Sequence, residues 1–139
     1  MSRLTPALVS LLALSVGATA CSGASAHGSG SARSEPSIAS ATRAADGVQQ
    51  ITVDTTDQFR FAPMDIRAHV GKLRIVLTDH GAYPHNISFP SLHATSSTVS
   101  GSPGQQQTTF TVTFADAGTY DFVCTFHSSA GMKGQITVS

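Results

Sequence analysis

Near the end of the chain, three side chains with metal-binding donor atoms fall within nine residues: Cys124, His127 and Met132, in the pattern Cys-x2-His-x4-Met. Upstream, Tyr83-Pro84-His85-Asn86 sets a second histidine on a short turn of its own. One thiolate, two imidazoles and one thioether make a mixed soft and borderline donor set. Soft sulfur selects copper. Zinc would accept the cysteine and both histidines but has little use for a thioether, so the methionine decides between the metals. Four protein donors leave no obvious open position for a substrate. No Ser-His-Asp or paired-carboxylate arrangement stands out elsewhere in the sequence. The chemistry expected is therefore electron or copper handling, not bond making.

Such donors need rigid elements to bring them together. Thr119 to Cys124 alternates, so Tyr120, Phe122 and Cys124 share one face of a strand and Asp121 takes the other. Cys124 ends an inward-facing row. Gly131 and Gly134 suit a tight loop that returns the chain into a strand, Gln135-Ile136-Thr137-Val138. His127 would sit on that loop and Met132 near its return. His85 has to arrive from a different strand.

These residues resemble the cupredoxins, and the Cys-x2-His-x4-Met spacing is similar to that of the plastocyanins. Tyr83-Pro84-His85-Asn86 is similar to the Pro-His-Asn turn that carries the first histidine ligand in that family. The resemblance covers residues 48–139. It implies His85, Cys124, His127 and Met132 as ligands of one copper cycling between Cu(I) and Cu(II), and Asn86 as the residue that ties the two ligand loops together. Plastocyanins usually carry proline just before the second histidine, where this chain has Phe126. Unlike proline, Phe126 keeps its backbone N–H, within plausible reach of the Cys124 sulfur.

The remaining sequence supplies an address and a frame. Arg3 followed by the apolar run Ala7 to Ala18 fits a signal peptide over 1–20, too short to span a membrane as a helix. Cys21 directly after Ala18-Thr19-Ala20 resembles a bacterial lipobox, which implies a lipidated Cys21, export, and a membrane anchor facing the periplasm or cell exterior. Simple cleavage after Ala20 is the alternative. Ser22 to Gly47 is rich in Ser, Ala and Gly with almost no large apolar residue, so 21–47 is expected to be a disordered linker. His27, within it, is expected to be a solvated residue. The folded part is then 48–139.

Within 48–139 the period is two. Strands are expected at Val48–Val53, around Leu73–Leu77, His85–Phe89, Ser97–Ser100, Thr108–Phe114, Thr119–Cys124 and Gln135–Val138, with an edge strand or bend around Pro63. Seven or eight short strands predict an all-β fold, a Greek-key β-sandwich. Asp116-Ala117-Gly118-Thr119-Tyr120 resembles a tyrosine corner, a structural feature. His69, His80 and His93 are expected at the surface, His80 near the edge of the His85 turn. The 139-residue chain has formal charge zero. Residues 48–139 carry five Arg or Lys against six Asp, so no basic field points to nucleic acid. The expectation is a non-enzymatic, monomeric one-electron carrier that docks a redox partner near His127. Copper delivery through the same ligands is the other reading.

Overall fold

Inward-facing apolar rows build two sheets in the computed structural model of the chain, which describes residues 38–101, 104 and 106–139. The strands are β1 (Ile38–Ser40), β2 (Thr42–Arg43), β3 (Gln49–Thr56), β4 (Arg60–Ala62), β5 (Asp65–Ala68), β6 (Gly71–Asp79), β7 (Ser88–Phe89), β8 (Ala94–Thr95), β9 (Gln107–Phe114), β10 (Gly118–Val123) and β11 (Lys133–Val138). One sheet runs β1-β5-β11-β10-β7-β8. The other runs β2-β3-β6-β9, with β4 paired to β3. The alternation of β6 shows why the sheets face each other: Leu73, Ile75, Leu77 and Asp79 are buried, and Lys72 is exposed. Between the layers, Phe122 packs on Phe61 with ring centroids 5.0 Å apart, and Phe89 on Phe114 at 5.8 Å. This is the all-β sandwich that the alternation predicts.

The structure revises three details. The fold starts earlier than residue 48. Residues 38–47, expected in the linker, hold β1, paired parallel to β5, and β2, paired to β3. Composition missed them because edge strands gain from backbone pairing and need little apolar side chain of their own. Eleven strands appear among the described residues instead of seven or eight, several of them two or three residues long. The strands expected at His85–Phe89 and Ser97–Ser100 shrink to Ser88–Phe89 and a single bridge between His85 and Val99. The Tyr120 hydroxyl donates to the Asp116 carbonyl at 2.9 Å, the geometry of a tyrosine corner. No helix among the described residues is long and apolar enough to cross a membrane. The signal segment 1–20, Cys21 with its lipidation, His27 and the linker to residue 37 lie outside the described residues.

Candidate metal centre

The centre lies where β10 ends. Phe122 and Cys124 face inward and are fully buried, after which the chain leaves the sheet. A loop of turn and a short 3-10 segment, Ser128–Ala130, leads to Gly131, whose φ of 85° is a left-handed value that glycine adopts without strain. The loop closes on its own backbone. Cys124 N–H donates to the Met132 carbonyl at 3.1 Å, and Met132 N–H to the His127 carbonyl at 3.2 Å. These bonds bring Cys124 and Met132 side by side at the mouth of the loop, with Met132 fully buried.

His85 comes from outside this loop. Its N–H and carbonyl pair with Val99, both at 2.8 Å, and its side chain is fully buried. The Cys124 sulfur lies 3.8 Å from Nδ1 of His85 and 3.7 Å from Nδ1 of half-buried His127. Asn86 joins the two segments: its Nδ2 donates to Thr125 Oγ1 at 2.8 Å, and Thr125 N–H donates back to Asn86 Oδ1 at 2.9 Å. Burial holds the pKa of His85 below the ordinary imidazole value. The negative charge of Asp79 partly opposes this, and the neighbouring His127 reinforces it. A neutral ring with a free nitrogen toward the sulfur is the form a metal needs.

The donor set fits a single soft ion. The donor atoms of His85, Cys124 and His127 all lie within 4.8 Å of one another. Ligand atoms at about 2.0–2.3 Å from a tetrahedral ion stand roughly 3.5 Å apart, close to the two sulfur–nitrogen distances. Buried Met132 supplies the thioether that distinguishes copper from zinc. The residues present fit one copper ion.

Other residues singled out by the sequence fall elsewhere. His80 pairs with Asp54 at 2.9 Å on the surface and is outside the donor group. His69 and His93 are exposed. Among the described residues, the hydrogen-bonding neighbours of the Cys124 sulfur are the two ring nitrogens. The Phe126 side chain is 49% exposed beside His127, with ring centroids 6.4 Å apart.

Sequence reasoning placed partner docking near His127 and missed the aromatic surface around it. Tyr83 is 53% exposed. Phe59 stacks on the His127 ring at 4.2 Å and 17°, and meets Tyr83 edge-on at 5.6 Å. Phe59 has φ 54°, uncommon for a bulky residue. It sits on the β3–β4 turn, far from the donors in sequence, and nothing in its local pattern marks it.

Comparison with known proteins agrees with this geometry. A family model described as a cupredoxin-like domain matches residues 12–138. The chain is 30% identical over 102 residues to amicyanin-alpha of Methylorubrum extorquens, covering 70% of this chain and 83% of that protein. It is 31% identical over 85 residues to plastocyanin A/B of Petroselinum crispum, covering 57% of this chain and 87% of that protein. Among solved structures, the oxidised plastocyanin of Dryopteris crassirhizoma superposes with a TM-score of 0.50 at 27% identity, over 64% of this chain and all of that one. The metal-binding domain of the Streptococcus pneumoniae Cu(I)-exporting P-type ATPase CopA superposes with a TM-score of 0.59 at 19% identity, over 76% of this chain and 98% of that one, a likeness of fold.

Proposed function

The chain belongs to the cupredoxin-like family, and from that premise we propose that it binds one copper ion through His85, Cys124, His127 and Met132 and carries single electrons. The observation that carries this reading is the Cys124 sulfur, buried and flanked by two Nδ1 atoms at 3.8 and 3.7 Å. When bound, copper supplies a Cu(I)/Cu(II) couple. The protein's part is to hold the donors still between the two states. Cys124 and Met132 are tied across the loop mouth, and Asn86 locks that loop to the His85 segment. Little rearrangement favours electron transfer over reaction, because the donors need not move when the charge changes.

His127 is the donor nearest solvent, and Tyr83 and Phe126 expose aromatic surface around it. This end is the natural docking face for a redox partner, whose encounters use small interfaces. Charge gives little steering, since 48–139 carries one negative charge in excess. Export and anchoring through a lipidated Cys21 complete the reading, supported by Cys21 after Ala18-Thr19-Ala20. Cys21→Ala should move the protein out of the membrane fraction, and an already soluble wild type would rule the anchor out.

The test of the central claim is the visible spectrum after copper addition. Intense thiolate-to-copper absorption, reversible voltammetry and fast self-exchange are expected. A colourless domain that takes only zinc would overturn the reading. Rapid loss of copper to an acceptor with slow self-exchange would favour copper delivery over electron transfer.

A further inference from the structure

The two histidines of the centre are held in different ways. The His85 ring is fully buried in the core, whereas that of His127 is half-buried at the surface. The His127 backbone is fixed: its N–H donates to the Cys124 carbonyl, and its carbonyl accepts the N–H groups of Ala130 and Met132. Backbone bonds do not fix a side chain. Rotation of the ring would carry Nδ1 away from the sulfur, so the ring needs a surface to rest on. Phe59 supplies one. Its ring lies flat on that of His127, with centroids 4.2 Å apart and planes inclined by 17°. It meets His85 only obliquely, at 6.2 Å and 59°.

The backbone accepts strain to put that ring there. A φ of 54° is a left-handed value that a bulky residue seldom takes, and it persists only where the surroundings enforce it. The turn between β3 and β4 is enforced from both sides. Within it, Phe59 N–H donates to the Thr56 carbonyl at 3.1 Å and Gln58 N–H to Thr56 Oγ1 at 3.3 Å. From across the site, Ala82 N–H and Tyr83 N–H donate to Asp57 Oδ1 at 2.7 and 3.3 Å. Gly81 comes so near that a Cβ there would strike the Asp57 carboxylate. Tyr83 then meets Phe59 edge-on, with centroids 5.6 Å apart. Asp57 thus fastens the turn to the segment leading to His85, while Phe59 rests on the histidine of the other loop.

We propose that the β3–β4 turn is a clamp across the metal centre. Asp57 anchors it, and Phe59 is a positioning residue that keeps the His127 ring facing Cys124 before any metal arrives. A side chain ordered in advance need not be ordered on binding, so the clamp raises metal affinity without contributing a donor. The gain in affinity rests on the copper reading above. The order of the ring is a property of the metal-free chain.

The test begins with the full metal-free chain. NMR relaxation at the ring carbons should show His127 as ordered as His85, and a freely rotating His127 in the wild type would overturn the proposal. Phe59→Leu keeps an apolar side chain and the same demand on the backbone but removes the flat face. The His127 ring should loosen while His85, enclosed in the core, stays ordered. Cu(I) affinity, measured by competition with a chelator, should fall about fivefold. Phe59→Tyr keeps the face and should match wild type in both measurements. Asp57→Ala leaves Phe59 in the chain but cuts the anchor, and should loosen His127 in the same way to a smaller extent. A His127 still ordered in Phe59→Leu, both rings loosened alike, or an unchanged affinity would overturn the proposal. So would a tyrosine variant as loose as the leucine one, or an unaffected His127 in Asp57→Ala. Should Phe59→Leu fail to fold, the wild type and Asp57→Ala still decide. A chain that takes up no copper fails the functional reading, and the ring measurements still decide this one.

Discussion

The loop from Cys124 to Met132 closes with its own backbone: Cys124 on Met132, His127 on Cys124, Ala130 and Met132 on His127. The segment from Gly81 to His85 is held from outside. Asp57 Oδ1 accepts Ala82 N–H at 2.7 Å and Tyr83 N–H at 3.3 Å, Asp79 accepts Gly81 N–H, and Val99 pairs with His85. Gly101 packs so closely on the Gly81 carbonyl that it has no room for a Cβ. Three donors thus come from a locally folded loop and the fourth from a segment assembled by residues scattered along the chain. Losses in the first loop should act on the metal itself. Losses around the second should act on stability and tuning.

The largest effect tests the first half of that contrast. Cys124→Ser should abolish the thiolate-to-copper absorption completely and leave the sandwich folded, because Cys124 is a small buried side chain at a strand end. Retained blue absorption would show that another sulfur serves the metal.

Asn86 is where the two regions meet. Asn86→Ala removes two hydrogen bonds at a site only 6% exposed, and leaves Thr125 N–H without its acceptor. A loss of about 2 kcal/mol in chemical denaturation is expected. Thr125→Val removes one of the two and should cost about half as much. A neutral Asn86→Ala would mean that the loops are joined by packing instead.

The buried histidine also makes the second region sensitive to acid. Its folded pKa lies below the ordinary value, chiefly through burial, so the unfolded chain binds a proton that the fold refuses. Stability from this group is therefore complete above about pH 6.5 and falls as the pH drops through that value. Melting of the metal-free protein followed from pH 8 to 5 should show the decline, and His85→Gln should lessen it. An unchanged pH profile in His85→Gln would assign the decline to other groups.

The same contrast explains what was legible in the sequence. Cys124, His127 and Met132 could be read from spacing because one short loop with a left-handed Gly131 brings them together. The inward row on β10 could be read from period two. Asp57, Phe59 and Asp79 could not, because their partners lie on other strands: Phe59 meets His127, and Asp57 holds Ala82 and Tyr83. Nor could β1 and β2, whose register depends on neighbours at β5 and β3. Local chemistry is visible before folding. Chemistry made by register is visible only after it.

The smallest expected effect concerns Phe126, at the exposed edge of the first loop. A hydrogen bond from its N–H to the thiolate would withdraw electron density, favour Cu(I) and raise the potential. At about 1 kcal/mol of difference between oxidation states, that bond would be worth roughly 40 mV. Among the described residues the sulfur has the two ring nitrogens as neighbours of this kind and not the Phe126 N–H, so no such contribution is expected. Phe126→Pro removes the N–H, and Phe126→Leu keeps it while removing the ring; the two should have potentials equal to within about 10 mV, a quarter of that magnitude. Proline also restricts the residue before it, here Thr125, whose N–H bonds to Asn86. A strained Thr125 would appear as lost stability in the proline variant alone, which denaturation separates from a change in potential. If Phe126→Pro lowers the potential by about 40 mV relative to Phe126→Leu with stability unchanged, the N–H closes on the sulfur in the copper-bound state. The first loop would then tune its metal as well as hold it, and the contrast with the second would narrow.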